Sequence, residues 1–303
     1  MEFDFLKEPG KVLEKENIID ASGLVPKMSV ITPYYNAGEH FRQTYNCLMN
    51  QTMPEFEWII VNDGSTKAED VELLDELVTT DARIRVFHRE NGGQSKAKNY
   101  GIAQVLTDII VFIDADDLVE PFYLEILYQA LSEHPEASWS YTDLVGFAGQ
   151  EYVWCKVFSA GRMTFNNILV NAAAFRREAI EAVGGFSEVA KHYDEDWALY
   201  LQLLAKGMHP VHIPVIGFWY RKSSSGMQQT VRKDEKLRIE SDCYVNELAK
   251  NVDIHIQAEV YQGKLPVDAV KSEYSMLDKL LAGVMKHELG LSILKKVYRK
   301  KNA

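Results

Sequence analysis

Three aspartates fall within four positions at the end of the most apolar run of the chain: DIIVFIDADDL, residues 108–118, carries Asp114, Asp116 and Asp117. Like charges repel, and a carboxylate beside a buried strand is costly to leave unpaired. Either a cation gathers them, or the strand ends in a solvated turn that caps the helix starting near Pro121. In an extended chain residues i and i+2 share a face, so Asp114 and Asp116 converge while Asp117 points elsewhere. A divalent cation held by one or two carboxylates, with phosphate oxygens and water completing its shell, suits such a pair.

Three further segments carry residue types fit for chemistry. NDGST at 62–66 places Asp63 just after an apolar run, where it could accept hydrogen bonds from a base or ribose. The competing reading is an Asp-Gly turn with Ser65 or Thr66 capping the next helix. ENGGQSKAKNYG at 90–101 puts adjacent glycines, Gly92 and Gly93, before an N-cap at Ser95, with Lys98 one turn on. Backbone N–H groups at a helix N-terminus favour anions, although this is neither a dinucleotide glycine fingerprint nor a P-loop. YDEDWALYLQLL at 193–204 has three acids in a first helical turn, which complements the helix dipole or supplies a general base, Asp196 or Glu195, with Trp197 lining the site. His209 and His212 flank prolines in a strand and read as structural.

Strands alternating with helices must position these groups. MSVITPYY, FEWIIVND, RIRVFHR and DIIVFID read as strands, and residues 38–51, 69–78 and 95–106 as the helices between and after them. That rhythm implies right-handed crossovers and a mostly parallel sheet covered on both faces. After Pro121 the pattern shifts to a helix over 122–135, a strand over 137–147 and an antiparallel partner within EYVWCKVF. Helices from about Arg177 and across DEDWALYLQLLAKG follow, then HPVHIPV and IGFWYRK as a closing pair of strands, and helix from about 230.

Composition sets the bounds. The chain has 303 residues and a net charge of −11, which argues against nucleic-acid binding because phosphate neutralisation needs a basic surface. Three cysteines far apart, Cys47, Cys155 and Cys243, give no disulfide framework and fit a reducing compartment. No signal peptide or membrane-spanning run is apparent, so a soluble cytoplasmic protein is expected.

Taken in order, VITPYYN (30–36), NDGST, NGGQSKAKNYG, IDADD (113–117), GGF (184–186), EDW (195–197) and WYRKSSSGM (219–227) resemble the inverting family 2 glycosyltransferases of the nucleotide-sugar-binding GT-A fold. The resemblance covers roughly residues 28–227. It implies an α/β GT-A domain at 27–227, divided into a nucleotide-sugar half (27–117) and an acceptor half (118–227). A leader arm (1–26), packed weakly or not at all, precedes it, and a C-terminal helical extension (228–303) follows. Asp114 and Asp116 then look like the metal motif, binding Mg²⁺ or Mn²⁺ across the donor diphosphate, with Ala115 between them. Asp63 resembles the base-recognising carboxylate, usually for uracil. Pro33, Tyr35, Asn36 and Gly93 border the nucleotide. Lys98 stands where the family more often has Arg, so a bidentate phosphate contact becomes a point charge. Asp196 matches the catalytic base with Glu195 beside it, and Arg221 completes the donor site. Trp197 and Trp154 are weaker candidates for the acceptor, a carbohydrate, lipid-linked or other hydroxyl compound of cell-surface polysaccharide synthesis. Many relatives place a metal- or phosphate-contacting His two residues beyond this Arg; here the position is Ser223, and 223–226 reads as a lid. A sugar nucleotidyltransferase and a non-catalytic nucleotide- or sugar-binding module are the competing functions.

Residues 286–303 hold six Lys/Arg against one Glu. A helix there would carry Leu289, Ile293 and Val297 on one face and Lys295, Lys296, Arg299 and Lys300 on another. That layout suits peripheral contact with the inner face of the plasma membrane. The alternative is a helix packed on its own domain or on a second copy in a homodimer.

Overall fold

The computed structural model describes residues 3–9, 21, 23–189, 194–222 and 234–264. The basic tail at 286–303 and the lid stretch at 223–226 lie outside the described residues. Ten strands form one mixed sheet: β1 (Met28–Tyr34), β2 (Phe56–Asp63), β3 (Ile84–Arg89), β4 (Ile109–Phe112), β5 (Leu118–Val119), β6 (Trp139–Ala148), β7 (Tyr152–Trp154), β8 (Ala174–Arg176), β9 (Pro210–Lys222) and β10 (Glu259–Val260). Helices α1 (Glu39–Met49), α2 (Ala68–Thr80), α3 (Gln94–Ile102), α4 (Tyr123–Glu133), α5 (Ala160–Met163), α6 (Arg177–Val183), α7 (Glu195–Ala205) and α8 (Glu235–Ala249) connect or flank them.

The strand order is β10-β9-β6-β8-β4-β1-β2-β3. β1 pairs in parallel with both β2 and β4, and β2 in parallel with β3. β8 runs antiparallel between β4 and β6, and β9 is parallel to β6. The chain therefore winds outward from β1 to β3, then returns to β4 on the other side of β1. That reversal opens a crevice at the carboxyl ends of β1 and β4, where open α/β sheets bind ligands.

Both faces of the sheet are buried, which is why its strands read as continuous apolar runs. Period-2 alternation sends Val30, Trp58 and Ile60 into one core with Phe41 and Leu74, and Ile31, Ile59, Val61 and Phe112 into the other with Ala97 and Phe175. Gly101 lets α3 press against β1: a Cβ there would come within 2.6 Å of Ile31.

The structure departs from the sequence reading in four places. HPVHIPV and IGFWYRK are one 13-residue strand, because the register against β6 slips between Thr142 and Leu144 and the irregularity absorbs Pro214. α3 begins at Gln94 with Gly93 as N-cap, leaving Ser95 inside the helix and buried. The extension beyond 228 is not wholly helical, since β10 adds to the sheet beside β9. Finally, residues 3–9 of the leader are packed: the rings of Phe3 and Phe5 lie 5.4 and 6.4 Å from that of Trp219, and Glu8 is buried.

Candidate active site

The aspartate cluster is a pinned turn rather than the end of a pleat. β4 stops at Phe112, and the turn closes where the Asp117 N–H donates to the Asp114 carbonyl at 3.2 Å. Asp114 and Asp116 therefore stand on a reversal and not on the extended chain from which their shared face was expected, and the charge of Asp114 still reaches Asp116. Thr44 of α1 donates to the carbonyls of Ala115 and Asp117. Arg221 of β9 supplies the rest: its N–H donates to the Asp117 carboxylate at 2.7 Å, its Nε to the Asp116 carbonyl at 2.6 Å, and its guanidinium lies 4.4 Å over the Phe147 ring. Its Nη2 donates to Gln43. Expected on the donor, Arg221 thus holds the turn that would present the donor's metal. Asp117 is buried, with its carboxylate on the Arg221 N–H, and burial raises its carboxyl well above the usual range.

Asp114 and Asp116 remain at the rim. Burial first, then the charge of Asp114, pushes the Asp116 carboxyl up to about 6. Asp114 accepts from Gln94 Nε2 at 3.0 Å and from Asn171 Nδ2 at 3.4 Å. Among the described residues, no three His, Cys, Asp or Glu side chains form a metal-ligand cluster. The pair nonetheless fits a hard divalent cation: two carboxylates repel one another on a fixed turn, and phosphate oxygens can complete the shell without a third protein ligand.

Lys98 ties this turn to the other acidic group. Its side chain is fully buried, its Nζ stands 3.1 Å from Glu195 Oε1 and 3.7 Å from Asp114 Oδ1, and it lies 5.0 Å over the Phe186 ring. Burial alone would lower its pKa; Asp114, Glu195 and Asp196 together raise it instead. The point charge expected on a phosphate is thus spent between two carboxylates. GGF makes this possible. Asn99 clasps the loop through the N–H and carbonyl of Phe186, and Gly185 sits at φ 79°, where a Cβ would strike the Asn99 amide at 2.6 Å.

Asp196 lies in the first turn of α7. Its Oδ1 accepts from the Trp197 N–H at 2.7 Å and from Asn167 Nδ2 at 3.2 Å. Burial, then the charges of Glu195 and Asp194, push its carboxyl up to about 8, against the lowering influence of Lys98. In the base role that the family resemblance implies, Asp196 works only when deprotonated, so kcat/KM is expected to rise with pH through about 8, where the carboxyl is half ionised, and to level off above it. Glu195→Gln removes the nearest like charge and should move that limb to lower pH, measured as a pH–rate profile of both enzymes.

The nucleotide side is built largely of loop supports. The Asp63 carboxylate accepts from the N–H groups of Gly92 and Gly93, the latter at 2.7 Å, and Arg89 Nη1 lies 3.0 Å away as an ion pair. A base contact would have to share oxygens that already hold the Gly-Gly loop. Asn36, at φ 48°, accepts from the N–H groups of Thr66 and Lys67 and so joins the end of β1 to the NDGST loop. Pro33 is within β1, and Tyr35, just beyond it, is half exposed at the crevice end.

The aromatic candidates separate. Trp197 is partly buried and its indole N–H donates to Met163, which makes it a packing residue. Trp139 and Tyr141 are core. Trp154 is partly buried, with its N–H on the Ile168 carbonyl, one residue from the Asn167 that holds Asp196. His212 is buried, stacked on Tyr141 and 3.0 Å from Asp143, as a structural histidine should be. Sequence reasoning missed Gln94, Asn167 and Asn171, whose amides orient the carboxylates, because a single amide in a loop carries no pattern. It also missed Tyr220, whose phenol is raised by burial and then by Asp117, Asp114 and Asp196, and so sits within the field of both acid groups. Its place within the WYRK run was the available signal.

Comparison with known proteins bears on this geometry. The family model described as Glycosyl transferase family 2 matches residues 29–183. The glycosyltransferase GlyG of Streptococcus pneumoniae is 38% identical over 107 residues, 35% of this chain and 35% of that protein. The O-antigen biosynthesis protein RfbC of Myxococcus xanthus is 28% identical over 188 residues, 60% of this chain but 15% of that one. The chain thus matches about a third or less of these relatives' length. Among solved structures, S. aureus TarS 1–349 in complex with UDP-GlcNAc superimposes with a TM-score of 0.58 at 17% identity, over 74% of this chain and 70% of that one. The mannosyltransferase PcManGT from Pyrobaculum calidifontis, in complex with GDP-Man and Mn²⁺, gives 0.53 at 15% identity, over 80% and 75%. These likenesses identify the fold as the GT-A fold expected from the sequence.

Proposed function

The chain belongs to glycosyl transferase family 2, and from that premise we propose that it is an inverting, metal-dependent glycosyltransferase that moves a sugar from a nucleotide-diphosphate donor, UDP-linked in the first instance, to an acceptor hydroxyl. The observation that supports this reading is buried Lys98, whose Nζ lies 3.7 Å from Asp114 on one acidic group and 3.1 Å from Glu195 on the other. One acidic group is suited to the donor diphosphate and the other to the acceptor, and a group transfer needs both at one crevice.

Tyr35 and the Asp63-supported loop would border the nucleotide, and Asp114 and Asp116 would hold Mg²⁺ or Mn²⁺. The cation supplies charge neutralisation to the departing diphosphate. Asp196 takes the proton from the acceptor oxygen as that oxygen attacks the anomeric carbon. Glu195, neutralised by Lys98, is a poor nucleophile, which favours one in-line displacement with inversion over a covalent sugar intermediate. The acceptor is a carbohydrate, lipid-linked or other hydroxyl compound of surface polysaccharide synthesis, a reading supported by the O-antigen name of one relative. Among the described residues no helix is long and apolar enough to cross a membrane.

UDP-GlcNAc and GDP-Man, the donors held by the two solved structures, are the first to test, followed by dTDP-sugars. Thermal shift is expected to show stabilisation by the true donor in Mn²⁺, about 2.7 kcal/mol at a hundredfold excess over Kd. The shift should vanish in chelator and in Asp116→Asn. Equal stabilisation under all three conditions would remove the metal-dependent donor site from the reading.

A further inference from the structure

Both α8 and the first turn of α7 lie beyond the matched residues 29–183, and α8 reaches the backbone that carries the base. Its two buried residues are Ser241 and Val245, one turn apart on a single stripe. A buried hydroxyl requires a partner. Ser241 donates to Asp194 Oδ2, and Tyr244, also on α8, donates to Ser187 Oγ at 2.6 Å.

Asp194 is the N-cap of α7, and its carbonyl accepts the first helical hydrogen bond, from Ala198, at 2.8 Å. An aspartate at this position ordinarily turns its carboxylate back onto the N–H groups of its own helix. Here no side-chain cap forms, and the residue stands in the left-handed region at φ 53°, ψ 23°. Its carboxylate is drawn away to Ser241. A non-glycine residue held in that conformation, with its local hydrogen bond forgone, is maintained by its surroundings, and such residues concentrate at functional sites. The next two residues are Glu195 and Asp196.

We propose that Ser241 and Tyr244 are positioning residues for the catalytic base. Ser241 holds the chain at Asp194 in its left-handed turn, Tyr244 ties the same helix to Ser187, and together they fix where the Asp196 carboxylate points. The inference rests on Asp196 as the base, but the placement of α7 can be measured apart from that role. Neither residue touches the donor side, so the coupling acts on turnover and not on donor affinity.

Ser241→Ala, Ser241→Thr, Tyr244→Phe and Asp194→Gly in the full chain test the idea, with Asp196→Asn as a reference. The assay is release of the nucleoside diphosphate from the donor identified by thermal shift, in Mn²⁺ and without acceptor, so that water takes the acceptor's place. Ser241→Ala is expected to lower kcat about 10- to 100-fold with donor KM unchanged, a loss typical of a misplaced catalytic group. Ser241→Thr, which keeps the hydroxyl, should recover most of it. Asp194→Gly relieves the left-handed strain but leaves Ser241 without its acceptor, so kcat is read well below the thermal midpoint, where a fall separates positioning from folding. Hydrogen exchange of the first-turn amides of α7 should quicken in Ser241→Ala and Tyr244→Phe. Unchanged exchange there, or unchanged kcat in Ser241→Ala and Asp194→Gly, overturns the proposal. An Asp196→Asn enzyme as active as wild type would instead remove the base assignment, and the exchange measurement would still decide whether α8 holds α7.

Discussion

Asp196→Asn is expected to cut turnover about 10²–10⁴-fold, the range general-base assistance supplies, while leaving donor affinity and metal dependence as in wild type. The substitution is close to isosteric, and the amide oxygen can still accept from the Trp197 N–H and from Asn167. What disappears is a charge. Burial and its acidic neighbours push the Asp196 carboxyl up to about 8 from the ordinary aspartate value of 3.8, so the folded protein binds more protons than the unfolded chain between those limits. Stability therefore falls as pH rises through that window, and ionised Asp196 is a cost to the fold at pH 8. The asparagine variant escapes that cost. Its thermal midpoint at pH 8 should equal or exceed that of wild type, even though it barely turns over. Inactivity accompanied by a lowered midpoint would mark Asp196 as a structural residue and sink its assignment as base. The combination of a more stable and less active variant is what a strained functional group predicts.

How far this was legible in the sequence depends on the distance over which each feature is encoded. The apolar runs that became β1 to β4 and the motifs at their carboxyl ends are local, and periodicity and turn chemistry place them within a residue or two. β5, two residues long, depends on pairing with β9, and β9, read as two strands, depends on register against β6; no local pattern records either. The roles of the basic residues were the hardest to read. Arg221 and Lys98 both looked like phosphate ligands because a cation beside glycines or acids is ambiguous until its partners are placed. Those partners lie far away in sequence: Lys98 meets Glu195 at a separation of 97 residues, and Arg221 meets Asp117 at 104. The same holds for Asp63, whose carboxylate is claimed by a loop 29 residues on. Residue type announced that charges would gather at one rim; only the fold determined which of them would be spent holding the others.

Lys98→Met carries the second large expectation. Methionine matches the length of the stem and packs against Phe186, so the volume is nearly conserved and the change isolates the ammonium. Without it, Glu195 and Asp114, whose side chains are 14% and 24% exposed, face each other and Asp196 with no cation among them. Removing one partner of a buried ion pair typically costs about 3–5 kcal/mol, because the charge left behind has lost both water and its counterion. The partial exposure of both acids puts the expectation at the lower end, roughly 3 kcal/mol, which denaturant unfolding would measure. The pH dependence has a definite sign. Lys98 lowers the Asp196 carboxyl, so without it ionising Asp196 costs more, and the deficit relative to wild type should grow as pH rises toward 8 and shrink in acid. Lys98→Arg keeps the charge but must fit a planar fork beneath Phe186, and it should regain most of the stability that methionine loses. Added Mn²⁺ with donor supplies a cation at Asp114 and should rescue part of the methionine variant's stability, more than it adds to wild type. If the methionine enzyme is as stable as wild type at pH 8, Lys98 does not join the two acidic groups energetically, and the donor and acceptor sides of the crevice are held together by something other than this lysine.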